Sequence, residues 1–223
     1  MKKMLLVLLS SLIVSTLCLT GAACSCKKND PQEPALAGGW TRASSPVITS
    51  NIQALFDKAT LGLVGTRYKP VAYLASQVVA GTNHLFLCSF SPVVPNAVAT
   101  YTLVTIYEDL QGNASLYDVR ESDAEAIGDS NLSGGWNASE SPKVTSAAKK
   151  ALTKATDGLA GASYNPVALL GTQVVAGTNS RILCEVTPVV PNAATDYMVV
   201  QVYADLSGNA EITETWSFAR SID

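Results

Sequence analysis

The chain has 223 residues, of which 48% are hydrophobic and 15% are charged, and its formal net charge at pH 7 is −3. This balance favours a compact, sheet-rich globular fold and excludes a largely disordered chain. Because the net charge is negative and no cluster of lysine and arginine is evident, we expect no nucleic-acid partner.

The first residues predict a signal peptide over residues 1–23. Lys2 and Lys3 form a short basic region, and Leu5 to Leu19 is an apolar stretch interrupted only by serine and threonine. The stretch is shorter than the ~20 residues that a membrane-spanning helix needs, and small residues follow it. We therefore expect export of the chain rather than a transmembrane anchor.

A cysteine follows the small residues directly. The sequence Gly21-Ala22-Ala23-Cys24 resembles the processing box of bacterial lipoproteins, which implies that Cys24 carries lipid. We expect an exported protein that is anchored by this lipid to the bacterial cell envelope and touches the membrane only there. Gly21 stands where such boxes usually have leucine, so simple secretion or a periplasmic location stays open. Residues 24–35 lack a hydrophobic period and read as a polar tether.

The body of the chain is a tandem duplication. A shift of 96 residues superimposes its halves without a gap, and Gln77 to Asn83 has the same sequence as Gln173 to Asn179. The repeated unit is domain-sized and longer than a solenoid repeat. We predict one domain over residues 36–122, called here the first repeat, an acidic linker over 123–131, and a second domain over 132–223, the second repeat.

Each repeat begins with the pattern of one amphipathic helix. Ser45-Pro46 and Ser141-Pro142 each combine a capping hydroxyl with a proline suited to the first helical position, so they predict the helix starts. Gly62 and Gly158 are the expected ends. The apolar positions at helical spacing are Ile48, Ile52, Leu55, Phe56 and Ala59, and in the second repeat Val144, Ala148, Ala151, Leu152 and Ala155.

The hydrophobic period then changes from that of a helix to that of strands. The first repeat has four strand patterns, separated by glycine, proline and asparagine: Tyr68 to Val79, Leu85 to Val94, Thr100 to Tyr107 and Ala114 to Arg120. Helix and strands together predict an α+β fold, in which one helix packs across a four- to five-stranded antiparallel sheet in each repeat.

The turn between the first two strand patterns carries the most specific motif. Gln77-Val78-Val79-Ala80-Gly81, followed by Thr82-Asn83, resembles the first inhibitory hairpin of the cystatin family. Cystatins also carry an apolar residue and a glycine before the helix, and Leu36 with Gly38-Gly39 occupies that place here. The resemblance extends from Leu36 to Asp223 and implies two tandem cystatin-like domains.

The resemblance implies a function and a site. Cystatins insert an N-terminal trunk and two hairpin loops as a wedge into the active-site cleft of papain-like cysteine peptidases, without covalent chemistry. The expected peptidase-binding residues are Leu36, Gly38, Gly39, Gln77, Val78, Val79, Ala80, Gly81 and Leu110 in the first repeat, and Leu132, Gly134, Gly135, Gln173, Val174, Val175, Ala176, Gly177 and Leu206 in the second.

The second hairpin departs from the cystatin pattern. Many cystatins have Pro-Trp there, whereas the repeats have Asp109-Leu110-Gln111-Gly112-Asn113 and Asp205-Leu206-Ser207-Gly208-Asn209. Leu110 and Leu206 are therefore expected to supply the apolar contact. Trp40 and Trp136, directly after the glycines, suit either a contact with the enzyme or a core position.

An enzyme is not predicted. Each repeat has one cysteine, Cys88 or Cys184, expected as a buried free thiol, and the only histidine, His84, is matched by Ser180, so it reads as a strand or surface residue. We expect no catalytic residue, no metal site and no cofactor. The protein is expected to act as a monomer, and a non-inhibitory envelope module that retains the fold is the alternative function.

Overall fold

The structure is a computed structural model of the chain, and it describes residues 38–95, 100–120 and 135–217. These residues belong to one compact unit, Ala35–Asp223. Within the described residues, neither helix is long and apolar enough to cross a membrane. The predicted signal peptide, the tether with Cys24, Leu36, the linker over 123–131, Leu132 and Gly134 lie outside the described residues.

The first repeat contains one helix and one antiparallel sheet. Its elements are β1 Trp40–Arg42, α1 Ser50–Thr60, β2 Thr66–Val79, β3 Gly81–Pro92, β4 Thr100–Glu108 and β5 Ala114–Arg120. The five strands follow one another in the sheet in chain order, from β1 to β5. Every neighbouring pair is antiparallel, so consecutive strands are joined at alternate ends of the sheet.

The second repeat has the same architecture. Its elements are β6 Asn137–Ala138, α2 Ser146–Ala155, β7 Ala162–Val175, β8 Gly177–Pro188, β9 Asp196–Ala204 and β10 Ala210–Ser217. The sheet order is again sequential, from β6 to β10. The α+β prediction is confirmed, with five-stranded antiparallel sheets and one helix in each repeat.

The helices begin four residues later than predicted. Thr49 and Thr145 are the N-caps, and their hydroxyls accept hydrogen bonds from the backbone N–H of Ile52 (3.4 Å) and Ala148 (3.2 Å). The prediction of Ser45-Pro46 and Ser141-Pro142 as helix starts is wrong.

The reason lies in the backbone of these prolines. The carbonyl oxygen of Pro46 accepts the backbone N–H of Tyr73 at 3.0 Å, and that of Pro142 accepts the N–H of Leu169 at 2.9 Å. The serine–proline segments therefore extend the edge of the sheet before the chain turns into the helix.

Each helix covers one face of its own sheet. In the first repeat, Leu55 and Phe56 pack with Phe86, Val104 and Ile106. The second repeat forms the corresponding core, in which the helical residues Ala148, Ala151 and Leu152 contact Ile182, Val200 and Val202 among others. The apolar helix faces predicted from the sequence therefore point into the cores, except that Ile48 and Val144 precede the helices and pack against the same cores from there.

The opposite faces of the two sheets share a further core. Leu74, Leu87 and Leu103 of the first repeat belong to the same buried cluster as Leu170 and Leu183 of the second. Leu87 and Leu183 have no exposed surface. At about 25 cal/mol per Å² of buried apolar surface, such a face cannot be left in water without a large loss of stability.

A symmetric pair of tyrosines borders this shared core. The Tyr101 hydroxyl donates to the backbone oxygen of Ser139 at 3.1 Å, and the Tyr197 hydroxyl donates to that of Ala43 at 3.0 Å. Tyr197 and Ser139 stand 96 positions after Tyr101 and Ala43. The repeats therefore contact each other through equivalent surfaces, as the subunits of a two-fold symmetric dimer do. Arg42 and Asp196 add an ion pair at 2.7 Å.

Candidate functional site

The valine hairpin of each repeat, Gln77–Gly81 or Gln173–Gly177, is a tight turn between two long strands. Val79 pairs with Gly81 across the turn, which leaves Ala80 alone at the tip. Gly81 has a φ of 134° and Gly177 a φ of 142°, a region that favours glycine. A side chain at either position would also collide with a backbone oxygen of the neighbouring strand, at Glu108 or Ala204.

A tyrosine hydroxyl holds the tip of each valine hairpin. Tyr107 on β4 donates to the backbone oxygen of Ala80 at 2.6 Å, and Tyr203 on β9 donates to that of Ala176 at 2.7 Å. The hydrogen bond fixes a tip whose own backbone has no other strand to pair with. The hairpin tip is thereby tied to the neighbouring strand in both repeats.

A glutamine links the valine hairpin to the segment before β1. The Gln77 side chain donates from Nε2 to the Gly38 oxygen at 2.8 Å and accepts from Asn83 Nδ2 at 2.8 Å. The Gly38 backbone N–H donates to the Val78 oxygen at 3.3 Å. In the second repeat Asn179 Nδ2 donates to Gln173 Oε1 at 2.7 Å.

The aspartate hairpin of each repeat, Asp109–Asn113 or Asp205–Asn209, joins its last two strands. Asp109 Oδ1 accepts the backbone N–H groups of Gln111 (2.9 Å) and Asn113 (2.7 Å), and Oδ2 accepts Asn113 Nδ2 at 2.8 Å. The hydrogen bonds from Asn113 lower the pKa of Asp109 below its usual value. Asp205 makes the same contacts and its pKa is lowered for the same reason.

The two hairpins and the glycine segment lie at one end of each sheet, called here the hairpin end. Thr82 pairs with Glu108, so the last residue before the aspartate hairpin lies beside the valine hairpin. Trp40 pairs with Gln77, which brings Gly38 and Gly39 to the same end. Because the strands are ordered sequentially, the three segments form one row across the sheet.

The apolar side chains of this row are directed to solvent. Leu110 is 79% exposed and Leu206 is 88% exposed, and Val78 and Val174 are more than half exposed. Val79 and Val175 are less exposed, at a little over two fifths. Isolated exposed apolar residues are ordinary, but a row of aliphatic side chains on neighbouring loops is a candidate binding surface.

The predicted site residues are brought together where the structure describes them. In the first repeat these are Gly38, Gly39, Gln77, Val78, Val79, Ala80, Gly81 and Leu110. In the second they are Gly135, Gln173, Val174, Val175, Ala176, Gly177 and Leu206.

Three further residues support the site without having been predicted to do so. Tyr107, Asn83 and Asp109 each hold a loop of the hairpin end, and each has its counterpart 96 positions later in Tyr203, Asn179 and Asp205. Asn83 and Asp109 were noted only as members of the hairpin motifs. Identity between the repeats at these positions was the available signal.

Trp136 is buried and Trp40 is partly buried. Trp40 packs against the core that the sheets share. Trp136 is 9% exposed, and the Arg181 guanidinium carbon lies 4.0 Å from the centroid of its ring. A direct contact between these rings and an enzyme, one of the two readings from the sequence, is therefore not favoured.

His84 is buried on β3 rather than exposed. Its Nδ1 lies 3.0 Å from the Tyr73 hydroxyl and its Nε2 lies 3.2 Å from Glu108 Oε2. Burial lowers the pKa of His84, although the Glu108 carboxylate opposes this shift. The prediction of a strand position is confirmed, whereas a surface position is wrong.

The two cysteines of the repeats are buried free thiols, as expected. Burial raises the pKa of Cys184 to about 12 and raises that of Cys88 further, so neither is a thiolate at neutral pH. Within the described ranges, no three His, Cys, Asp or Glu side chains are grouped so that they could hold a metal ion.

No protein-family model and no curated protein matches the chain.

Proposed function

We propose that the protein is a reversible, non-covalent inhibitor of papain-like cysteine peptidases, and that each hairpin end acts as a wedge in the active-site cleft. One observation supports this most strongly: the glycine segment, the valine hairpin and the aspartate hairpin lie in one row, with exposed aliphatic side chains on fixed loops. A row of this kind fits a cleft, which is a long concave site with apolar walls.

The resemblance of the sequence to the cystatin family supports the same function. Both copies of Gln-Val-Val-Ala-Gly lie at a tight turn, and the order of β-strand, helix and four further strands agrees with the cystatin pattern. The proposal therefore includes that the two repeats are tandem cystatin-like domains. Because one fold can host many different functions, the proposal depends on the arrangement of residues at the hairpin end and not on the fold.

The mechanism requires only binding. Val78 and Val79 offer apolar surface to the cleft. Gly81 permits the tight turn that presents them, because a side chain there would collide with Glu108 and Tyr107. The bonds from Tyr107 to Ala80 and from Gln77 to Gly38 order the loops in advance, which lowers the entropy lost on docking. Leu110 extends the apolar contact in the place where many cystatins have tryptophan.

Location belongs to the same proposal. Export through residues 1–23 and lipidation of Cys24 would hold the inhibitor at the cell envelope, where it meets peptidases outside the cytoplasm. Mass spectrometry of the mature N-terminus tests this part: a diacylglycerol adduct on Cys24 supports anchoring, and an unmodified mature N-terminus indicates secretion.

A competition experiment tests the binding site. The chain from Lys27 onward keeps the whole compact unit, and we expect it to form a complex with papain that elutes as one species in size-exclusion chromatography. Papain whose active-site cysteine carries a bulky covalent peptide-like inhibitor should form no complex, because the cleft is filled. Equal binding to free and blocked papain would contradict the wedge, and binding to neither would leave the alternative of a non-inhibitory envelope module.

A further inference from the structure

The two repeats differ in the side chains beside their aspartate hairpins. In the second repeat, a groove lies between α2 and Gly208 of the hairpin, and three lysines line it: Lys149, Lys150 and Lys154. All three are exposed. No basic cluster is evident along the sequence, but the helix and the adjacent hairpin place these three charges around one groove.

The positive charge of the groove is only partly neutralised by nearby carboxylates. Lys154 Nζ lies 3.6 Å from Asp157 Oδ2, one helical turn away. In the part of the chain that the structure describes, no carboxylate lies within ion-pair distance of Lys149 or Lys150. Residues 135–217 contain five basic and seven acidic side chains, so this positive patch stands on an otherwise acidic repeat.

The first repeat lacks this patch. The residues that match Lys149 and Lys150 are Gln53 and Ala54, and Gln53 donates to Asp57 Oδ1 at 2.8 Å. Lys58, which matches Lys154, donates to the backbone oxygen of Gly112 at 2.6 Å and so secures the aspartate hairpin. Lys58 therefore supports a hairpin in the first repeat. Its counterpart Lys154 instead pairs with the exposed Asp157 and lies beside two further lysines.

The position of the groove relates it to the proposed wedge. Gly208 lies two residues after Leu206, whose side chain is 88% exposed at the hairpin end. The groove borders the same hairpin through Gly208. A partner that docks on the hairpin end therefore meets the hairpin that forms one wall of the groove.

From this geometry we infer that the second wedge is selective for papain-type peptidases with acidic side chains on the rim of the cleft, whereas the first wedge lacks this preference. This inference rests on the proposed function and names the partner of its second site. Charges at the rim of an interface act mainly on the association rate, because they steer the encounter of the two proteins. The duplication would then give one chain two inhibitory ends with different targets.

Association kinetics of the full compact unit test this inference. Gly81→Glu disables the first wedge, so that the measured association rate comes from the second wedge alone. The probes are active-site-counted papain and the same enzyme after succinylation, which turns lysine charges negative. We expect the chain to associate faster with succinylated papain, and the ratio of the two rates to fall as salt is added. Lys149→Glu with Lys150→Glu should lower the rate for succinylated papain about tenfold at low salt.

Matched variants separate this effect from a general change in charge. Lys143→Glu changes the net charge by the same amount as Lys149→Glu alone but lies outside the groove, and it should change the rate much less than Lys149→Glu does. With the second wedge disabled by Gly177→Glu instead, Gln53→Lys and Ala54→Lys should transfer the preference to the first wedge. Equal effects of the groove and control variants, or a rate ratio independent of salt, would overturn the inference while leaving inhibition intact. Absence of inhibition by the unmodified chain would overturn both the inference and the proposed function.

Discussion

Two features of the valine hairpin require glycine at position 81. Its φ of 134° is strained for a residue with a side chain, and a Cβ atom there would also meet the Glu108 oxygen and the Tyr107 ring. Tyr107 is the residue that holds the hairpin tip through its hydroxyl. A side chain at position 81 therefore displaces both the loop and its support.

Gly81→Ala is expected to weaken inhibition by the first wedge at least tenfold, because a non-glycine residue in such a sparsely populated φ region costs about 1–3 kcal/mol before the collision is counted. The measurement is the inhibition constant for papain in a chain whose second wedge is disabled by Gly177→Glu. Gly112→Ala is the control: Gly112 has a φ of 77°, but a Cβ atom there meets nothing within 4 Å. Equal weakening by both changes would contradict the role given to the close approach at Gly81.

The motif residues of this site could be predicted from the sequence, but their supports could not. Gln77–Gly81 has a characteristic order of residues, and the turn follows from it. Tyr107 lies 26 positions from Gly81 in the chain, and only the pairing of β3 with β4 brings it to the hairpin tip. Spacing along the chain carries no signal for such a contact.

His84 makes stability depend on pH. Its pKa is lowered from its ordinary value of 6.5, chiefly by burial, so the folded state binds the proton less readily than the unfolded state. Its contribution to stability is then complete above about pH 6.5 and is lost as the pH falls from there toward the folded-state pKa. His84→Ser, which copies Ser180 of the second repeat, should reduce the slope of the unfolding free energy against pH between about 7.5 and 5.5. Urea unfolding at several pH values measures it, and identical slopes would contradict the assignment.

Among the elements, three of the four predicted strands follow from the sequence more closely than the helix starts. Observed β2, β4 and β5 agree with the predicted ranges within two residues, because alternating apolar positions and turn residues fix both ends. The prediction for β3 is wrong at its start: β3 begins at Gly81, four residues before the predicted Leu85, because the tight turn lets it pair with β2 from its first residue. Ser45-Pro46 has a helix-start pattern, yet the Pro46 oxygen is taken by Tyr73 of the neighbouring strand. That long-range hydrogen bond moves the cap to Thr49, and no local pattern indicates it.

The capping position gives a direct prediction. Thr49→Ala should lower the free energy of unfolding by about 1 kcal/mol, since the N–H of Ile52 loses its acceptor. Ser45→Ala should change it by well under half of that, because Ser45 accepts only the nearby N–H of Val47 at 3.3 Å outside the helix. Chemical unfolding of the two variants measures both values. A larger effect at Ser45 than at Thr49 would show that the helix begins at the serine.

At the scale of the molecule, the main feature is the face that the two sheets share. The sequence predicted what covers one face of each sheet, namely the helix, but it did not assign a cover to the other. Leu74, Leu87 and Leu103 supply apolar surface on that second face, and their counterparts in the second repeat meet them. The duplication thus forms an internal dimer, which periodicity within a single repeat cannot reveal.

The shared core predicts that the repeats stay together without their connection. A specific protease site inserted within residues 123–131 allows the connection to be cut in the folded protein. We expect the cut chain to elute at its original size and to unfold in one transition, because separation would expose the faces around Leu87 and Leu183. Elution as two smaller species under native conditions would mean that the repeats are independent domains joined only by the linker.

The proposed inhibition depends on the hairpin ends acting as wedges. Titration of active-site-counted papain with the chain from Lys27 onward tests this most directly. Papain activity should fall in proportion to the added chain until the enzyme is saturated. A variant with both Gly81→Glu and Gly177→Glu should leave the activity unchanged, with a circular dichroism spectrum equal to that of the unmodified chain as the control for folding. Full papain activity at micromolar concentrations of the unmodified chain, or equal inhibition by the double variant, would contradict the account.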